Sequence, residues 1–178
     1  MALMTAEEAE AYRRPILAAL GLDDPASVQE TEPALWSRLI EQAGALLRAR
    51  PDAGEWSVIE CLGHMTDSEL ITATRYRRIL AETEPELGGY DQTAWVARLG
   101  HAAEDPAALL DYLSALRRAN VALWRRTTAA DRGRLGRHAE RGPESFELLF
   151  RLQAGHGRVH LAQAERALAI ARRPRPVG

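Results

Sequence analysis

The stretch GPESFELLFRLQAGHGRVHLAQAERALAIAR, residues 142–172, decides the fold class. Its apolar residues recur every three or four positions, which is the spacing of one face of an α-helix. Two histidines, His156 and His160, lie four positions apart on that face. Because residues four apart on a helix point in the same direction, both imidazoles can reach one point in space. The stretch therefore predicts a long helix, from about Gly142 to Arg172, that carries a paired imidazole site.

The rest of the chain shows the same helical periodicity and no alternation with a period of two. Thr5 and Glu8 form a capping box that predicts a short N-terminal helix, which Pro15 should kink or interrupt. Three long helices are predicted after it, over about 31–50, 56–81 and from 105 onward. Together with the last helix they predict an all-α four-helix bundle in a single domain, residues 1–178.

The segment 82–104 separates the second and third long helices and contains Pro85, Gly88 and Gly89. A short loop would force the two helices to be antiparallel neighbours. This segment is long enough to return the length of a helix at ~3.3 Å per residue. We therefore expect these two helices to run parallel and to be joined by a long crossover.

The overall composition is that of an ordinary globular domain, with 178 residues, a net charge of −2, 46% hydrophobic and 27% charged residues. The near-neutral balance argues against a dedicated nucleic-acid-binding protein, which needs a basic surface. No run approaches the ~20 apolar residues of a membrane span. The N-terminus lacks the basic region of a signal peptide. We expect a cytoplasmic protein that binds neither nucleic acid nor membranes.

The residue types restrict the chemistry further. All 23 basic residues are arginine, which excludes a Schiff-base lysine and a phosphate loop of the Walker type. A single cysteine, Cys61, excludes disulfides within the chain and cysteine-rich zinc sites. Of the five histidines, His101 and His138 lie in predicted loops without a partner at ligand spacing. The other three histidines are the main candidates for metal binding.

Charge is divided unevenly along the chain. Residues 1–89 hold 8 arginines and 16 acids, a net charge of −8, and residues 90–178 hold 15 arginines and 9 acids, a net charge of +6. The favoured interpretation is that acidic and basic helices complement each other across the bundle. The alternative is an anion-binding surface formed by Arg117, Arg118, Arg125, Arg126, Arg132, Arg134, Arg137 and Arg141.

His64, in the middle of the predicted helix 56–81, is the natural third partner of His156 and His160. Three histidines from two neighbouring helices would leave a tetrahedral metal ion with an open position, which is typical of catalytic sites. Cys61 lies one turn before His64 and is an alternative ligand. A lone cysteine on an apolar face more often fills the core, and we favour that interpretation.

Glycines stand beside these histidines. Gly63 precedes His64, and Gly155 and Gly157 flank His156. A glycine inside a helix costs up to ~1 kcal/mol relative to alanine. The positions therefore indicate that a close helix or a substrate needs the room.

Three motifs occur in a characteristic order: WSVIECLGHMTDSE at 56–69, GYDQTAW at 89–95 and GHGRVHLAQ at 155–163. They resemble the DinB/YfiT-like family of four-helix metalloproteins over about residues 31–171, so that residues 1–30 form an N-terminal extension. The resemblance implies a bundle with an up-down-down-up course, in agreement with the long crossover. It also implies a divalent ion, zinc or nickel most often, on His64, His156 and His160.

Members of the family are described as metal-dependent hydrolases or as transferases that use a low-molecular-weight thiol. The resemblance therefore implies a small-molecule substrate, a thiol cosubstrate and a homodimer. Hydrolysis, thiol transfer and a thiol-dependent isomerisation all remain open, because fold does not fix reaction. The alternative class is a non-catalytic metal-binding bundle that acts in a stress response or in protein interactions.

Further site residues are predicted from their position near His64 and on the crossover. Glu60 and Asp67 lie within a turn of His64 and are candidates for orienting a ligand or moving protons. Tyr90, Asp91 and Trp95 are candidates for the wall of a pocket. For each acid alone, a solvated helix face is the competing interpretation.

Overall fold

The structure is a computed structural model and describes residues 3–173. In chain order the elements are α1 (Ala6–Leu20), α2 (Pro25–Ala43), α3 (Val58–Ala81), β1 (Glu86–Leu87), α4 (Gln92–Arg98), α5 (Pro106–Arg125), α6 (Ala129–Arg132), β2 (Leu135–His138), β3 (Gly142–Ser145) and α7 (Phe146–Ala171). Two 3-10 turns lie at Gly44–Leu46 and His101–Ala103. Pro174 and Pro176, which the sequence predicts to end the last helix, lie outside the described residues. None of the helices over residues 3–173 is both long and apolar enough to cross a membrane.

Contacts between helices α3 and α5 establish that the two run parallel. The Thr66 hydroxyl, early in α3, reaches the carbonyl of Leu109 early in α5. Arg77, late in α3, donates to the side chain of Asn120 late in α5. Residue numbers therefore rise together along the two helices. The crossover predicted for residues 82–104 is confirmed, and it carries β1, α4 and the second 3-10 turn.

Two further pairs of bundle helices, α3 with α7 and α2 with α5, are antiparallel. Ser68 of α3 donates to Gln153 of α7, and Tyr76, two turns later, donates to the carbonyl of Leu149, which is earlier in α7. The same reversal holds between α2 and α5, whose ion pairs are Glu32–Arg117 and Glu30–Arg125. The predicted up-down-down-up course is confirmed.

The first two helices depart from the predicted boundaries. The capping box of Thr5 and Glu8 starts α1 as expected, but the helix continues through Pro15, which is exposed. Helix α2 begins at Pro25 instead of near residue 31, because Asp24 accepts the backbone N–H of Ser27 as the N-cap. An aspartate followed by proline at the first helical position is the same start signal as at α5. Helix α1 packs along α7, so the N-terminal extension belongs to the fold.

A small sheet also departs from the purely helical prediction. Strands β2 and β3 form an antiparallel hairpin, and β1 from the crossover pairs parallel with β2. The strands are two to four residues long, too short for an alternating pattern to be recognised. The hairpin takes up Gly142–Ser145, so α7 begins at Phe146 with Ser145 as its N-cap, later than predicted.

The division of charge along the chain is explained by ion pairs. Three ion pairs join the basic half of the chain to the acidic half: Arg117 with Glu32, Arg125 with Glu30 and Arg137 with Glu84. Arg117 is buried in the bundle, so it cannot contribute to an anion-binding surface. Arg141 is engaged by Glu144. The ion pairs between α2 and α5 support the complementarity of acidic and basic helices.

The three helical glycines admit close neighbours. A Cβ atom on Gly155 would overlap the backbone carbonyl of Ile16 in α1, and one on Gly63 would overlap the ring of His101. A Cβ on Gly157 would overlap the carboxylate of Glu32. Of the two predicted explanations, it is the close approach of other elements that accounts for all three glycines.

Gly155→Ala tests this close approach of α1 to α7. Alanine is the better helix former by ~1 kcal/mol, so propensity alone would stabilise the protein. Because the backbone carbonyl of Ile16 cannot move without shifting α1, we expect the free energy of unfolding to fall by about 1–3 kcal/mol instead. Urea unfolding measures the change. The matched control is Gly133→Ala, whose Cβ would meet only ordinary contacts at 3.6 Å and beyond. A stabilised Gly155→Ala variant would contradict the packing.

Candidate metal centre

Three imidazoles converge between α3 and α7. His64 lies in α3, and His156 and His160 lie one turn apart in α7. The Nε2 atom of His156 is 3.4 Å from that of His64 and 2.9 Å from that of His160. One nitrogen from each ring therefore lies within 4.8 Å of the other two. The structure brings together all three histidines that the sequence predicts as metal ligands.

The hydrogen-bond partners of the Nδ1 atoms decide whether the Nε2 atoms of this cluster are free to bind a cation. His160 Nδ1 lies 2.8 Å from the side-chain oxygen of Gln163, and His156 Nδ1 lies 3.4 Å from the hydroxyl of Ser68. An oxygen acceptor at Nδ1 keeps the proton there and leaves the lone pair on Nε2. His64 Nδ1 is buried without a hydrogen-bond partner among the described residues. The donor set of three inward Nε2 atoms fits a divalent ion such as zinc or nickel.

Burial keeps these rings neutral. Burial, together with the neighbouring His160, lowers the pKa of His64 to about 3. Burial likewise lowers the pKa of His160 to about 4, and it holds the pKa of His156 well below its usual range. A neutral imidazole has a free lone pair at neutral pH, which is the form that binds metal.

An aromatic side chain covers one side of the cluster. Trp56, which precedes the N-cap of α3, lies with its ring centroid 4.9 Å from that of His64 and 6.0 Å from that of His160. The indole excludes water from that side of the imidazoles. Cys61 is buried in the apolar core, and burial raises the pKa of its thiol to about 12. Cys61 is not among the residues whose ligand atoms converge, so its position agrees with the prediction that it fills the core.

The two acids proposed near His64 have other partners. Glu60 accepts hydrogen bonds from the backbone N–H and the hydroxyl of Ser57, which completes the capping box of α3, and it pairs with Arg50. Its carboxylate stabilises the helix start that sets the position of His64. Asp67 instead lies 2.7 Å from Nε2 of His101.

His101 is a residue near the site that the sequence analysis left out. Its ring is buried and packs on Gly63, and its Nε2 atom lies at hydrogen-bond distance from the carboxylate of Asp67. Because His101 belongs to the crossover, its distance from His64 in sequence gave no spacing to recognise. The glycine before His64 was the available signal, since it indicated that something packs there.

A cavity of about 400 Å³ opens beside the cluster on the side of His156. Of the three candidates for a pocket wall, Tyr90 and Asp91 are among its lining residues, whereas Trp95 is not and packs on Tyr90 at 4.8 Å between ring centroids. Burial raises the pKa of the Tyr90 phenol to about 12. Asp91 also caps α4 by accepting the N–H of Ala94.

A buried polar network lies immediately behind the cavity. Gln153 of α7 accepts hydrogen bonds from Ser68 and Thr72 and donates to Glu69 of α3. Glu69 also accepts from Asn120 of α5 and lies 3.4 Å from the guanidinium of Arg117. The network therefore links the wall of the cavity to three helices of the bundle.

Comparison with known proteins agrees with this fold and cluster. A sequence model of the DinB superfamily matches residues 28–164. Among solved structures, YfiT from Bacillus subtilis resembles the chain with a TM-score of 0.76 and 25% sequence identity, over 80% of this chain and 83% of that chain. It is described as a probable metal-dependent hydrolase with an unusual four-helix bundle topology. None of the curated proteins compared with the chain matches it.

Arg117→Met tests the network that supports the site. Removing this guanidinium leaves the buried carboxylates of Glu32 and Glu69 without their cation. Breaking a buried ion pair typically costs about 3–5 kcal/mol, and we expect a loss of that size in the free energy of unfolding. The control is Arg118→Met, the exposed neighbour on the same helix, which should change stability by less than about 0.5 kcal/mol. Equal stabilities of the two variants in urea unfolding would contradict the network.

Proposed function

Because the chain belongs to the DinB superfamily, we propose that it is a metal-dependent enzyme whose divalent ion, zinc or nickel, is held by His64, His156 and His160. The observation that carries the proposal is the convergence of three neutral Nε2 atoms at the edge of a cavity. Three histidine ligands leave a fourth position free for water, a thiol or a substrate. The ion would act as a Lewis acid that lowers the pKa of a bound water or thiol toward neutrality.

The protein's own side chains have separate roles around that position. Ser68 orients the ring of His156, and Gln163 orients the ring of His160. Trp56 keeps water away from the far side of the imidazoles. Tyr90 retains its proton at neutral pH, because burial raises its pKa to about 12, so it can donate a hydrogen bond to a substrate in the cavity.

Asp67 and His101 form a second polar pair one turn from His64. A hydrogen-bonded carboxylate and imidazole can hold and release a proton as a unit. Of the two acids named near His64, Asp67 is therefore the better candidate for proton transfer, since Glu60 is committed to Ser57 and Arg50.

Two reactions fit this arrangement. One is transfer of a low-molecular-weight thiol to or from a small molecule, and the other is hydrolysis of a small molecule. Similarity to YfiT, itself described as a probable metal-dependent hydrolase, supports hydrolysis, and the wider family resemblance supports thiol transfer. Thiol transfer and hydrolysis differ in one requirement: only the first stops when the thiol is left out of the assay.

Replacing each of the three histidines tests the ligand set. His64→Ala, His156→Ala and His160→Ala should each lower the content of one divalent ion per chain by at least tenfold, because each removes one of three ligands. Mass spectrometry of the metal in purified protein measures this. His138→Asn is the control, since His138 is a buried histidine outside the cluster. Cys61→Ser should also keep the ion. Equal metal content in all variants would contradict the site.

Removing the metal distinguishes a catalytic ion from a structural one. The bundle closes two apolar clusters without any ion, so chelation should leave helical circular dichroism largely intact at room temperature. Thiol-transfer or hydrolase activity, found by a substrate screen, should be lost, and the melting temperature should fall modestly because a ligand of the native state is removed. Unfolding on chelation, or activity that survives it, would favour the non-catalytic bundle.

A further inference from the structure

Two arginines of the described bundle are buried, and they differ in their partners. Arg117 contacts the carboxylates of Glu32 and Glu69. Arg75, on α3, forms no ion pair within residues 3–173, because Glu144, the carboxylate that acts on its charge, is paired with Arg13 and Arg141. Its hydrogen bond goes to the backbone carbonyl of Gly88, and its Nε atom is buried without a partner. A buried guanidinium is costly unless an anion faces it. Arg75 is therefore suited to bind an oxyanion from outside the chain.

Arg75 lines the same cavity as His156. The floor of the cavity is one face of α3, where Ser68, Thr72 and Arg75 follow each other at helical spacing. His156 lies beside Ser68, whose hydroxyl is 3.4 Å from its Nδ1 atom. The histidine cluster and the guanidinium therefore lie at two ends of one cavity.

The remaining charges in the cavity favour a singly charged anion. Arg141 also lines the cavity, but Glu144 accepts two hydrogen bonds from it. Glu140 and Asp91 add two acids to the wall. One guanidinium without a paired carboxylate, beside two acids, suits a carboxylate ligand, which can accept hydrogen bonds from the N–H groups that Gly88 leaves unused. A dianionic phosphate would be repelled more strongly by the two acids.

The length of the cavity and the side chains that line it indicate the size and polarity of the rest of the ligand. Seven residues of α3 separate Ser68 from Arg75, or about 10 Å along the helix at 1.5 Å per residue. Ile16, Leu149 and Leu152 line the cavity with apolar side chains. A ligand that reaches both ends is therefore a small organic acid with an apolar body.

We propose that Arg75 binds the carboxylate of a small organic acid whose opposite end lies at the histidine cluster. The reaction at that end rests on the function proposed above, whereas binding of the carboxylate does not. Arg75 is thus a specificity-determining residue, and the substrate class is carboxylic acids about as long as the cavity.

The test uses the full chain, with zinc and without it. The probes are 3-phenylpropionate, its neutral analogue 3-phenylpropanamide, and phenyl phosphate, and titration calorimetry measures their dissociation constants. We expect the carboxylate to bind at least tenfold more tightly than the amide, and more tightly than the phosphate. Arg75→Met should abolish that preference, while the metal content stays at the wild-type value. Because Arg75 is not a member of the histidine cluster, the preference should persist in the metal-free protein.

Two further variants keep the test decisive. Arg75→Lys retains the charge but loses the planar fork, so it should weaken carboxylate binding several-fold. This variant replaces Arg75→Met in the test if Arg75→Met does not fold. Arg14→Met removes an exposed positive charge of α1 and should leave the affinity unchanged. Equal binding of acid and amide, tighter binding of phosphate, or wild-type affinity in either Arg75 variant would overturn the proposal. Loss of metal binding in the histidine variants with an unchanged carboxylate preference would support both proposals separately.

Discussion

The rest of the structure depends on one buried ion cluster. The guanidinium of Arg117, on α5, lies between the carboxylates of Glu32 on α2 and Glu69 on α3, and Glu69 accepts a hydrogen bond from Gln153 on α7. Each bundle helix contributes one member, so the cluster fixes the axial register of the four helices relative to one another. Buried ionic groups add little net stability, but they make a displaced arrangement costly because it leaves a charge unpaired. His156 follows Gln153 by three residues, so the register that satisfies Glu69 also sets the position of the imidazoles.

Much of this arrangement could be predicted from the sequence because it follows from periodicity and spacing. The spacing of His156 and His160 predicts that both side chains lie on the same face of the helix, since four residues are nearly one turn. The length of the crossover predicted that α3 and α5 run parallel, and their side-chain contacts agree. The ligand role of the histidines stays a prediction, although the structure brings their nitrogens together.

What could not be predicted depends on contacts between distant segments. Helical spacing places Arg117 on the buried face of α5, but only the positions of Glu32 and Glu69 show which groups neutralise its charge there. The sheet forms from strands that are stable only when the crossover adds β1 to the hairpin. Gly155 could be recognised as unusual, but its partner, the backbone of α1, lies outside the part of the chain that the family resemblance covers.

The packing of α1 on α7 places the first and last described helices side by side. These two elements are synthesised farthest apart in time, so α1 must wait for α7 before its apolar face is covered. Contacts of such large sequence separation slow folding, because a long loop must close before they form. Docking of α1 therefore has to follow the synthesis of α7, and the cavity, which takes Ile16 from α1 as part of its wall, is complete only once the two helices have packed together.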